Sequence, residues 1–73
     1  MTFDEAKVGD YIFRPKPGIS YKRSLTVVLH KEGKAITLLK TVTTPDKPVT
    51  ISEEQFNKAN FAPVTGEMVA MED

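Results

Sequence analysis

The sequence predicts a mostly β fold with one short helix, and an SH3-like small barrel is the expected architecture. Three observations lead there. Short aromatic and β-branched runs are separated by Gly, Pro and Asp turns; only one segment carries a full set of helix-start signals; and 73 residues hold one small domain and no second. An open antiparallel sheet with one helix packed across it uses the same elements and stands as the alternative.

Thr2 and Glu5 have capping-box spacing, so Phe3 to Lys7 is expected to make one helical turn before Val8-Gly9-Asp10 redirects the chain. Tyr11 to Arg14 is the first strand, ended where Pro15 removes an N–H donor. Leu25 to His30 alternates as a second strand, with Leu25, Val27 and Leu29 expected on the core side. Lys31-Glu32-Gly33-Lys34 is a short polar connection, after which Ala35 to Val42 pairs back as a hairpin. Thr44 to Pro48 is the next turn, and Val49 to Ile51 a brief fourth strand.

Ser52 and Gln55 form a second capping box, and Ile51 and Phe56 stand where a hydrophobic staple closes around it. A helix from Glu53 to about Ala59 follows, with its glutamates at the positive end of the dipole and Asn60 suited to the stop. Phe61 to Thr65 returns as an edge strand, because Pro63 cannot donate to a ladder. Residues 1–65 are thus expected to form one domain and 66–73 a flexible acidic tail. The expected core is Ile12, Leu25, Val27, Leu29, Ile36, Leu38, Ile51, Phe56 and Phe61.

Composition excludes much of function space. With no Cys there is no thiolate nucleophile, disulfide or zinc–thiolate site, and the single His30 has no second anchor for a metal. No phosphate-cradling glycine loop occurs, and Glu53 and Glu54, adjacent on a helix, do not face each other. No enzyme, cofactor or metal is expected. Apolar runs as short as Val27-Val28-Leu29 offer neither a membrane span nor a signal core, so a cytoplasmic protein that avoids membranes is expected.

Ten bases balance ten acids, yet nine of the bases against five of the acids lie within residues 1–50, and Lys58 alone faces five acids thereafter. Such a bipolar molecule suits a charged protein surface. Arg14 to Arg23 is the candidate contact loop, since it gathers Arg14, Lys16, Lys22 and Arg23 with two prolines and Tyr21 on a segment that must be exposed. Arg forks suit carboxylate or phosphate, Tyr21 offers a stacking platform or an interface anchor, and Lys31 and Lys34 are neighbouring cations. A dedicated nucleic-acid binder is usually basic overall. The zero net charge therefore puts a protein partner first, nucleic acid second and a structural or assembly subunit third, with a monomer expected.

The opening Met1-Thr2-Phe3-Asp4-Glu5-Ala6-Lys7-Val8-Gly9-Asp10-Tyr11-Ile12, the capped Ile51 to Asn60 helix and the full-length size resemble the small bacteriophage-encoded regulators of host RNA polymerase, of the Xanthomonas-phage type. The resemblance implies a non-enzymatic protein in the host cytoplasm that binds bacterial polymerase and blocks initiation at host promoters. An effect on termination is a further expectation. It assigns no binding residue.

Overall fold

The computed structural model describes residues 1–42 and 46–72. Five strands form one antiparallel sheet: β1 (Tyr11–Phe13), β2 (Thr26–Glu32), β3 (Ala35–Lys40), β4 (Val49–Ser52) and β5 (Ala62–Pro63). Their order is β4-β3-β2-β1-β5, a four-strand meander whose last strand returns to the free side of β1. Among the described residues β4 and β5 do not pair, so of the two expected architectures the open sheet is the one formed and the barrel does not close. The two-residue β5 is too short to serve two neighbours, and Pro63 brings no N–H. Part of the turn expected over Thr44–Pro48 lies outside the described residues.

Helix α1 (Glu53–Lys58) packs on β3 and β4. Both halves of its capping box are present: Gln55 N–H donates to Ser52 Oγ at 3.2 Å, and Ser52 N–H donates to Gln55 Oε1 at 3.1 Å. Asn60, at φ 54°, takes the left-handed conformation that ends the helix. Ser52→Ala removes one of these bonds and is expected to lower stability by about 1 kcal/mol, read as a shift in the urea midpoint. An unchanged midpoint would show that the staple alone holds the helix start.

The inner face of the sheet is set by register. Ile12 stands opposite Thr26, Val28 opposite Leu38, and Ile36 opposite Ile51, so these side chains point to one side. They meet Phe3, Ala6, Phe56 and Phe61 in a single core, with Met1, Ile51 and Ala59 at its margin. Val27 and Leu29, expected inside, are on the other face, the first half-buried and the second exposed, and Leu25, also expected inside, precedes the strand and is half-buried. A strand held between two neighbours must follow their register, and here that turns the more polar side of β2 inward. Thr26 tolerates this because its hydroxyl donates to Ser24 C=O at 2.9 Å.

A bulge at Leu29 then reverses the alternation. Val28 pairs with Leu38 but His30 pairs with Thr37, so one residue is extra and Lys31, instead of His30, turns inward. The hairpin beyond needs only Gly33-Lys34. Gly33 at φ 58°, followed by a residue of negative φ, gives the type II′ pattern that matches strand twist.

The start of the chain forms the single turn expected of it, closed by the N–H groups of Glu5 and Ala6 donating to Thr2 C=O at 3.1 and 3.3 Å, and goes no further as a helix. Glu5 makes its half of the expected capping box, its carboxylate accepting from Thr2 N–H at 2.7 Å, but the Thr2 hydroxyl, with Glu5 N–H given to Thr2 C=O, donates to the same carboxylate at 3.1 Å. Those bonds hold its pKa below the usual carboxylate value. The segment is tied across the core by the Met1 ammonium to Phe61 C=O at 2.8 Å and by Phe3 N–H to Asn57 Oδ1 at 2.8 Å. At the other end, the residues expected as a tail form α2 (Gly66–Glu72), started by Thr65, whose hydroxyl accepts from Met68 N–H at 3.2 Å. Val69 of this helix lines a shallow cleft with Tyr11, Tyr21 and Leu25.

Candidate functional site

The loop from Arg14 to Leu25 is tied by its own turns and hydrogen bonds despite its length. Pro17 and Gly18 occupy the centre of a turn in which Ile19 N–H donates to Lys16 C=O at 3.2 Å, and Gly18 at φ 75° supplies the positive φ of a type II turn. Ser20 then caps a 3-10 turn over Tyr21–Ser24. Ser24 closes the neck of the loop: its Oγ accepts from Arg14 N–H at 3.1 Å and donates to Arg14 C=O at 3.3 Å. Thr41 anchors the adjoining strand end, its N–H (3.0 Å) and hydroxyl (3.1 Å) both donating to Leu25 C=O.

This loop walls a trough at the open end of the sheet. One chamber, about 270 Å³, lies beneath the loop and is lined by Arg14, Lys16, Arg23 and Lys40 around Ile19, Leu25, Val42 and Phe61. A second, about 280 Å³, continues between β4 and α1 over Leu38, Val49, Ile51 and Ala59. Arg14, Thr26, Lys40 and Phe61 line both, so the two are one depression with two cations at its waist. No carboxylate among the described residues lines either chamber. Among the described residues, none of the four cationic side chains is paired with an acid. The result is an apolar floor under an uncompensated positive rim.

Three of the seven residues expected to make contacts, Arg14, Lys16 and Arg23, are brought together here. Lys22 is exposed on the same 3-10 turn but does not line the trough. Tyr21 is only 8% exposed and packs edge-on against Phe13, with ring centroids 5.9 Å apart. A ring so placed has no free face, so the stacking platform expected of it is not available. Lys31 is engaged internally: its ammonium donates to Phe3 C=O at 2.6 Å and Ala6 C=O at 2.9 Å, 4.2 Å from the centre of the Phe3 ring. Lys34 sits at the far end of the sheet, in a depression shared with Glu53, Glu54 and Lys58.

Lys40 was not among the expected contacts, although its signal is in the sequence. Ile36, Leu38 and Lys40 alternate along one strand, which places the lysine on the core side just past the core. Among the described residues no group of three His, Asp or Glu side chains is arranged to hold a metal ion. His30 faces Glu32 at 3.6 Å with both side chains exposed, and Glu54 pairs with Lys58 at 3.1 Å along the helix surface. No helix among the described residues is long and apolar enough to cross a membrane. Comparison with protein-family models, with curated proteins and with solved structures gives no match.

Proposed function

We propose that this protein is a non-enzymatic, monomeric regulator that works by occupying a surface of bacterial RNA polymerase in the host cytoplasm. Occupation blocks initiation at host promoters and also bears on termination. The observation that carries the protein-binding part is the trough: four cations with no acidic partner among the described residues, around an apolar floor, favour an acidic protein surface with apolar side chains to bury. The choice of polymerase rests on the resemblance of residues 1–12 and 51–60 to the phage regulators.

The test is affinity capture from a bacterial lysate with mass identification, together with run-off transcription from a host promoter. Polymerase subunits in the captured fraction and a fall in transcript with added protein are expected. Absence of every polymerase subunit overturns the proposal. A nucleic-acid binder is separated by salt: it shifts DNA or RNA directly and loses decades of affinity between about 50 and 200 mM salt.

A further inference from the structure

We propose that the trough binds an extended acidic segment of a protein partner that carries two apolar side chains flanking a carboxylate. This rests on the protein-binding reading and specifies the partner's chemistry. The two chambers have apolar floors of similar size, about 270 and 280 Å³, and each has room for one large side chain. Between them stand Arg14 and Lys40, which line both chambers and carry no ion pair among the described residues. An apolar–acidic–apolar order along the ligand therefore matches an apolar–cationic–apolar order along the trough. Lys16 and Arg23 extend the positive rim on the loop side only, so further acidic residues of the ligand lie toward the loop.

Charge complementarity also selects against other anions. A free phosphate or carboxylate would leave both apolar floors uncovered. A single-stranded nucleic acid needs exposed aromatic faces along its track. Among the described residues the one ring that lines this trough, Phe61, is 6% exposed, and Tyr21 of the loop, which lines neither chamber, is 8% exposed. A protein segment buries apolar area and satisfies the cations at once, and Arg14 can take its carboxylate in a bidentate fork.

The experiment is a heteronuclear NMR titration of the whole chain with four probes. They are a blocked peptide alternating leucine and glutamate, one alternating serine and glutamate, one alternating leucine and lysine, and a short oligothymidylate. The leucine–glutamate peptide is expected to move signals of Ile19, Leu25, Val42, Val49 and Ile51 and to bind at least about tenfold tighter than the others. Arg14→Glu with Lys40→Glu is expected to abolish that binding, and Arg14→Gln with Lys40→Gln to weaken it about tenfold while the spectrum stays folded. Equal binding of the serine–glutamate peptide, tighter binding of oligothymidylate, or no shift with any probe at millimolar concentration overturns the proposal. Polymerase capture that survives the Arg14/Lys40 double variants overturns this site and leaves the regulator standing. Peptide binding without polymerase capture does the reverse.

Discussion

Phe56→Ala is expected to remove most or all of the folding free energy. Phe56 is fully buried at the centre of a three-ring cluster, edge-on to Phe3 with centroids 6.5 Å apart and stacked on Phe61 at 5.1 Å. Truncating a buried Phe costs about 3–5 kcal/mol in lost transfer energy and residual cavity. A core of this size rarely supplies more than about 5 kcal/mol in total. The cavity does not collapse cheaply, because the main chain behind both partner rings is tied: Phe3 N–H donates to Asn57 Oδ1, and Phe61 C=O accepts from the Met1 ammonium. Urea denaturation followed by circular dichroism should show no folded baseline for the alanine variant and a lowered midpoint for Phe56→Leu, which fills part of the space. An alanine variant that melts like the parent would mean that the three rings are not the core.

The location of Phe56 was legible because the signals around it are local. A capping box, a staple and a stop residue lie within ten consecutive positions, and each acts through neighbours in the chain. The four main strands and the edge character of β5 were legible for a similar reason, since turns and prolines punctuate them. What could not be read was the facing of β2. Leu25, Val27 and Leu29 make the more apolar side, and alternation alone sends them inward. The decision lies with partners distant in sequence: Ile12 fixes Thr26 from one side and Leu38 fixes Val28 from the other. Thr26 then meets its polar requirement through Ser24, a bond that no periodicity announces.

The candidate site divides along the same line. The loop and its cations were visible as composition, and Arg14, Lys16 and Arg23 do share a wall. Lys40, which faces them, is carried to the core side by the Ile36-Leu38-Lys40 alternation of β3, a local signal, and only its place opposite Thr26 depends on register. Tyr21 and Lys31 were misplaced as exposed groups because exposure is a tertiary property. A tyrosine in a basic loop and a lysine beside a hairpin both look solvated until the sheet beneath them is known.

Lys31→Met carries the second large effect, and it tests the bulge. Leu29, the extra residue of β2, rotates the strand so that a lysine enters the inner face, where apolar side chains would otherwise be expected. Its ammonium is the hydrogen-bond donor for the carbonyls of Phe3 and Ala6, at 2.6 and 2.9 Å, and lies over the Phe3 ring. Methionine keeps the length and apolar stem but leaves both part-buried carbonyls without this donor. Charge-assisted hydrogen bonds contribute about 1.5–3 kcal/mol each in favourable settings, and a half-exposed cation over a ring about 0.5–1 kcal/mol. These contributions share one ammonium and do not add, so a loss of about 2–3 kcal/mol is expected. Lys34→Met, at the exposed hairpin, should stay within about 0.5 kcal/mol of the parent. The distinguishing measurement is amide hydrogen exchange: Lys31→Met should speed exchange at Glu5 and Ala6, whose N–H groups close the first turn, while leaving the β3 amides relatively protected. Equal stability of the two lysine variants would show that the inward turn of Lys31 does not hold the N-terminal segment. Its charge would then be free for a partner, as the sequence alone had suggested.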